Sequence, residues 1–158
     1  MSYQVCTVHT VVRWYFNFLF RRLFSCEECR DPLGMESRAI SDAQISASSE
    51  WAPSHAAIQG RLNFQASDGK SGAWSAKHNN QNQWLQADMG SSKNITHLAT
   101  QGRNGYEQWV TSYKVEYSNN GASFHCYQEH GTDKVCELTY TCLVNPAVNL
   151  LRLILLRF

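Results

Sequence analysis

No stretch of this chain reaches the roughly 18 to 20 consecutive apolar residues that a membrane-spanning helix needs. The nearest approach, 11–24, is rich in aromatics but broken by Arg13, Asn17, Arg21 and Arg22. A bulk charge of either sign is also missing. The formal net charge is +1, and apart from Arg21-Arg22 the cations are scattered. That excludes a polyanion binder working by bulk charge, and with it nucleic acid as a partner. Signatures of catalysis are lacking too. There is no Gly-rich phosphate loop, no nucleophile elbow and no H-E-x-x-H. The six histidines show no ligand spacing. Neither an internal repeat nor a low-complexity tract is present, and no helical stripe is sustained.

What the chain does have is cysteine, short alternating segments and turn residues. Six cysteines in 158 residues are many for a cytosolic protein and few for a small disulfide scaffold. They fit a secreted domain with a few bridges, whose connectivity the sequence leaves open. Cys26-x-x-Cys29 has no second pair at zinc-finger spacing and no βαβ pattern around it, so metal and redox readings are disfavoured. Asn94-Ile95-Thr96 is a glycosylation sequon, which agrees with secretion. The length suits about one domain, large enough to bury a sizeable core.

Composition divides the chain into three. Residues 1–28 are aromatic and irregular, a leader of uncertain status. As a signal peptide it is poor, with no charged start before the apolar run and a weak cleavage site at Leu23-Phe24-Ser25; a mispredicted start is the other reading. Residues 29–135 are polar, turn-rich and patterned. Residues 136–158 diverge and end in the dense apolar run Leu150-Leu151-Arg152-Leu153-Ile154-Leu155-Leu156.

The middle region alternates with period two. Leu85, Ala87 and Met89 interleave with Gln86 and Asp88; Tyr113, Val115 and Tyr117 interleave with Lys114 and Glu116. Each set makes one apolar face, the mark of a half-buried strand. Asn119-Asn120-Gly121 tolerates positive φ and should turn the chain back into 124–127. Weaker strands are expected over 40–47 and 95–100. Short strands at close spacing with Gly-rich turns predict an antiparallel sandwich or barrel.

These residues resemble, in order and spacing, the discoidin family, also called the coagulation factor 5/8 type C domain. The opening is Cys29, then Pro32-Leu33-Gly34-Met35-Glu36-Ser37, then Ile40-Ser41-Asp42-Ala43-Gln44-Ile45-Ser46-Ala47-Ser48-Ser49. Arg61-Leu62-Asn63, Gly72-Ala73-Trp74 and Asn82-Gln83-Trp84-Leu85-Gln86 follow, then Asp88 and Gly90. Ala99-Thr100-Gln101-Gly102-Arg103, Trp109-Val110 and 112–118 complete the series. The resemblance implies an all-β jelly-roll barrel or sandwich of the galactose-binding-like kind. It also implies an extracellular, non-enzymatic adhesion and recognition module with a terminal disulfide. Known ligand classes are anionic phospholipid surfaces, sugars and other extracellular proteins.

The family binds through loops at one end of the barrel, and three stretches here fall at those loops: 50–56, 64–71 and 104–108. Within them Glu50, Trp51, Pro53, Ser54, His55, Asn104, Gly105 and Tyr106 are the candidate ligand residues. Trp51 and Tyr106 lead, because an exposed aromatic gives a large amphipathic contact at low entropy cost. The bland alternative for Trp51 is a packing role at the barrel mouth. Trp74 and Trp84 read as core or under-loop packing. Asp68 and Ser71, beside Gly69, are weak calcium candidates; one carboxylate is thin coordination for a hard cation, and Asp-Gly is an ordinary turn. No other cofactor is implied. The resemblance makes Cys29 half of a terminal disulfide whose partner is unknown, with Cys126, Cys136 and Cys142 all open.

After Val135 the family pattern stops. The expectation is a barrel lacking its last strands, with 150–158 able to replace one of them. An open barrel would expose strand edges and apolar surface. The primary functional reading is an extracellular module that meets a phospholipid surface, peripherally and without a membrane span, or a protein. A carbohydrate-binding module and a truncated fragment with no function are the alternatives. An enzyme would require His55, His78 or His97 clustered with a carboxylate.

Overall fold

The computed structural model describes residues 2–5, 32–137, 142–143 and 147–157. Cys29 and the leader beyond residue 5 lie outside them. The described residues form strands and turns, with three short 3-10 turns at Asp42–Gln44, Pro53–His55 and Ala57–Gly60. The strands are β1 (Ser2–Val5), β2 (Ile45–Ala47), β3 (Trp84–Asn94), β4 (His97–Gln101), β5 (Ser112–Ser118), β6 (His125–Cys126), β7 (Gln128–Glu129), β8 (Thr132–Asp133), β9 (Val135–Glu137), β10 (Cys142–Leu143) and β11 (Ala147–Arg157).

The main sheet runs β2-β3-β11-β5-β6, with β9 also paired to β5. A second sheet runs β1-β4-β10, and β7 pairs with β8. All pairings are antiparallel. Side chains from the two larger sheets enter one core. Leu85, Ala87, Val115, Leu151 and Leu153 come from the main sheet, Leu98 comes from β4, and Met35, Ile40 and Trp74 close it from the connecting segments.

Alternation explains the two strands foreseen around 84–89 and 112–118. Leu85 and Ala87 are buried while Trp84 and Gln86 are half-buried; Tyr113 and Val115 are buried while Lys114 and Glu116 are not. The strand expected over 40–47 shrinks to Ile45–Ala47, because Ser41 and Gln44 instead form a capping box on a 3-10 turn. Gly121 takes φ +71° after Asn119-Asn120, and Ser118 Oγ accepts from its N–H at 3.0 Å. The chain then returns as β6, His125 opposite Tyr117.

The apolar run near the C-terminus becomes β11, and it lies in the middle of the main sheet. Leu153 sits between Leu85 of β3 and Val115 of β5, all three fully buried. The outward-facing Arg152 places its guanidinium 3.4 Å from the Phe124 ring centroid and 4.3 Å from that of Trp84. Its Nε also donates to Gln86 Oε1 at 2.6 Å. Trp84, expected under the loops or in the core, is therefore half-buried on the outer face, covered by an arginine.

The exposed apolar surface expected of an incomplete barrel is not found among the described residues. The large apolar side chains left exposed there are Trp51, Tyr106, Trp109 and Val135. The edge strands β2 and β6 are only 3 and 2 residues long, which leaves little edge for another chain to pair with. Cys136 is buried and disulfide-bonded, and its partner is not among the residues whose side chains are described. Cys126 is a free thiol, which removes it as a partner for Cys29.

Candidate functional site

The loops 50–56, 64–71 and 103–108 come together through their backbones. Ser71 N donates to Ser54 O at 2.7 Å, joining the first loop to the second. Ala66 N donates to Asn104 Oδ1 at 3.3 Å, joining the second to the third. Asn104 N donates to Gly72 O at 3.4 Å. Gly72 lies so close that a Cβ there would fall 2.4 Å from Asn104 Cβ. Only glycine fits this contact.

Within the first loop, Glu50 Oε1 accepts from Ala57 N at 2.7 Å and so holds the 3-10 turn that follows. Pro53 opens its own turn, and Ser54 Oγ lies 3.0 Å from His55 Nδ1. Burial and the nearby Arg103 charge push the His55 pKa down from its ordinary value. Trp51 N donates to Ser75 O at 2.9 Å while its side chain stays 66% exposed. A ring that far in solvent covers no barrel mouth. Beneath the loop, Trp74 is buried and its Nε1 donates to Ser49 O at 2.9 Å, the packing role expected of it.

In the third loop, Arg103 N donates to Gln108 O at 2.8 Å and Arg103 Nη1 to Gln108 Oε1 at 2.8 Å. The same guanidinium stands 3.8 Å from the Tyr106 ring centroid. Tyr106 is thus braced yet 60% exposed. Gly105, with φ +74°, supplies the left-handed residue that the tight turn needs. Asn104 spends its side-chain oxygen on Ala66, as noted.

The calcium candidates belong to the second loop. Asp68 is exposed on a turn at φ +49°. Ser71 is buried, and its hydroxyl donates to Ala73 O at 2.6 Å. The two offer no convergent set of oxygens. Among the described residues no three His, Cys, Asp or Glu gather as metal ligands, and no helix is long and apolar enough to cross a membrane. Asn94 is exposed at the end of β3 away from Trp84.

Beside the third loop is a feature that the sequence did not signal. A cleft of about 560 Å³ opens between 74–79 and 103–111, floored in part by Trp74, Val110 and Leu155. Trp109, 46% exposed, lines it with Arg103, Glu107 and Gln108. Trp109 entered the sequence reading only as part of the Trp109-Val110 motif of the family series, not as a site residue; its place in a cleft depends on a fold that brings 74–79 alongside.

The sheets and braced loops define a β-sandwich recognition module, built to hold a rigid set of loop tips. The chain belongs to the F5/8 type C (discoidin) domain family, whose model matches residues 44–150. That match runs past the boundary drawn at Val135 and includes the start of β11. Lactadherin of Rattus norvegicus is 40% identical over an alignment 127 residues long that covers 72% of this chain and 28% of the relative. EGF-like repeat and discoidin I-like domain-containing protein 3 of Homo sapiens is 39% identical over an alignment 140 residues long that covers 80% of this chain and 26% of that protein. Coagulation factor V of Sus scrofa is 41% identical, covering 69% of this chain and 5% of its own length. The chain therefore spans a small part of the relatives it matches. Among solved structures, discoidin II of Dictyostelium discoideum superimposes with TM-score 0.64 at 22% identity, over 72% of this chain and 49% of that one. A carbohydrate-binding module of Clostridium perfringens does so with TM-score 0.53 at 17% identity, over 71% and 82%. These two likenesses establish the fold.

Proposed function

We propose that this chain is an extracellular recognition module that docks Trp51 and Tyr106 into a phospholipid surface. The observation that carries this reading is the placement of those two rings. They are the most exposed large apolar side chains among the described residues, and both stand on loops joined to one network. Aromatic rings with a polar edge favour the membrane interface, and no bulk charge is needed to bring them there. A protein surface is the second occupant such tips suit. Asn94 serves as the glycosylation acceptor and Cys29 as half of a disulfide. In this reading the domain unit extends through β11.

Sedimentation with phosphatidylserine-containing vesicles tests the proposal. The parent chain is expected to sediment, and Trp51→Ala to bind about tenfold more weakly with an unchanged thermal midpoint. Tyr106→Ala is expected to act in the same direction. A Trp51→Ala protein that sediments like the parent would overturn the reading, as would a parent that ignores every vesicle.

A further inference from the structure

Asn-Gly occurs twice in the chain, at Asn104-Gly105 and at Asn120-Gly121. The pair is chemically labile, because glycine has no side chain to shield its own amide nitrogen. That nitrogen can attack the Cγ of the preceding asparagine and close a succinimide ring. Both pairs sit in turns, with Gly105 at φ +74° and Gly121 at φ +71°. By sequence the two are equivalent; the fold makes them different.

At 120–121 the reacting groups are held. Gly121 N, the attacking nitrogen, donates to Ser118 Oγ at 3.0 Å. Asn120 Oδ1 accepts from Ala122 N at 2.9 Å and from Ser123 N at 3.0 Å. These are hydrogen bonds of ordinary length. Swinging Cγ onto Gly121 N would break both bonds to Oδ1 and turn a peptide plane that Ser118 fixes. At 104–105 little holds the same groups. The Gly105 N–H has no hydrogen-bond partner among the described residues, and a Cβ on Gly105 would meet nothing within 4 Å. Asn104 Oδ1 has a single bond, from Ala66 N at 3.3 Å, which is long for its kind. Gly105 is exposed and Asn104 half-buried, so water reaches the pair.

We propose that Asn104-Gly105 is a self-modification site, at which the third loop loses ammonia and gains a carboxylate. Gly105 N forms a bond to Asn104 Cγ. The Cγ–Nδ2 bond breaks, and the side-chain nitrogen leaves as ammonia with the proton that Gly105 N gives up. Water then opens the ring at one of its two carbonyls. Opening at Cγ yields aspartate; opening at the main-chain carbonyl yields isoaspartate, whose backbone runs through the former side chain. Either product sets a negative charge beside Arg103. Isoaspartate also lengthens the turn that Tyr106 N closes on Arg103 O at 3.4 Å, so the loop that carries Tyr106 changes shape. The step does not depend on what the loops bind, and it can fail or hold apart from the membrane-docking reading.

The test holds the whole folded chain at mildly alkaline pH and body temperature, cleaves it after lysine and measures peptide masses. Residues 94–114 and 115–134 fall in separate peptides, so each pair is read alone. The mass gain of amide to acid, located by fragmentation, is expected severalfold faster at Asn104 than at Asn120. An isoaspartyl-specific methyl-transfer assay should count isoaspartate in excess of aspartate. In urea the two rates should become alike, because only the fold distinguishes the pairs. Asn104→Gln, whose extra methylene makes ring closure slow, should remove the gain from 94–114 and leave that at Asn120 unchanged. Aged protein should show shifted amide resonances at 66 and 106 and a lower urea midpoint. Equal rates in the folded chain, a faster reaction at Asn120, or no gain at Asn104 would each overturn the assignment. These readouts use the parent chain without vesicles, so neither a misfolded variant nor a chain that ignores lipid obscures them.

Discussion

At the scale of single residues, the contact between Gly72 and Asn104 is the most demanding one in the loop region. A methyl group at 72 would meet Asn104 Cβ at 2.4 Å and Asn104 N at 3.0 Å. Backbone cannot swing aside as a flexible side chain can. Gly72→Ala should therefore destabilise the protein by about 1–3 kcal/mol, read as a lower midpoint in urea, and should shift the amide resonances of both 64–71 and 104–108. A variant as stable as the parent would show that the two loops are not held together there. Glycine before Ala73-Trp74 was visible in the sequence as part of a motif. Its reason was not, since the residue it touches is 32 positions away. Similarly, Trp51 and Tyr106 could be named as loop aromatics, but the brace under Tyr106 needed Arg103 and Gln108 to be seen in space. Glu50 and Asn104 show the opposite side of this. Both are polar loop residues that suit ligand contact by type, and both spend side-chain oxygens on neighbouring backbone N–H groups.

Among the elements, β11 matters most. It separates β3 from β5, so the main sheet is joined across it. Leu153→Ala should cost about 2–5 kcal/mol, as expected for a fully buried leucine with no room to collapse. Removing 147–157 should have a larger effect, replacing a cooperative urea transition by a gradual one. A truncated chain that still unfolds cooperatively would show that the strand is dispensable. The alternation over 84–89 and 112–118 was legible because one face of each strand is apolar and the other polar. Over 150–156 it was obscured, because the outward positions hold Ile154 and Leu156 as well as Arg152. Those outward positions are half-buried rather than open to solvent, so apolar side chains are tolerated there. The same composition, without its pairing partners in view, reads as a departure from the family. Residues 40–44 failed as a strand for a local reason, since Ser41 and Gln44 satisfy each other in a turn.

At the scale of the whole molecule, the joined loops bear on how fast binding happens. The three loops hydrogen-bond to one another, and the third is closed on itself by Arg103 and Gln108. A surface already in its binding shape requires no rearrangement step before capture. Stopped-flow mixing with vesicles should then give single-exponential traces whose rate rises linearly with lipid concentration and does not level off. A plateau would reveal a slow opening that the loop hydrogen bonds argue against. Loosening those bonds by Gly72→Ala should introduce such a plateau. Under the proposed vesicle docking, the glycine at 72 is what would keep capture limited by encounter.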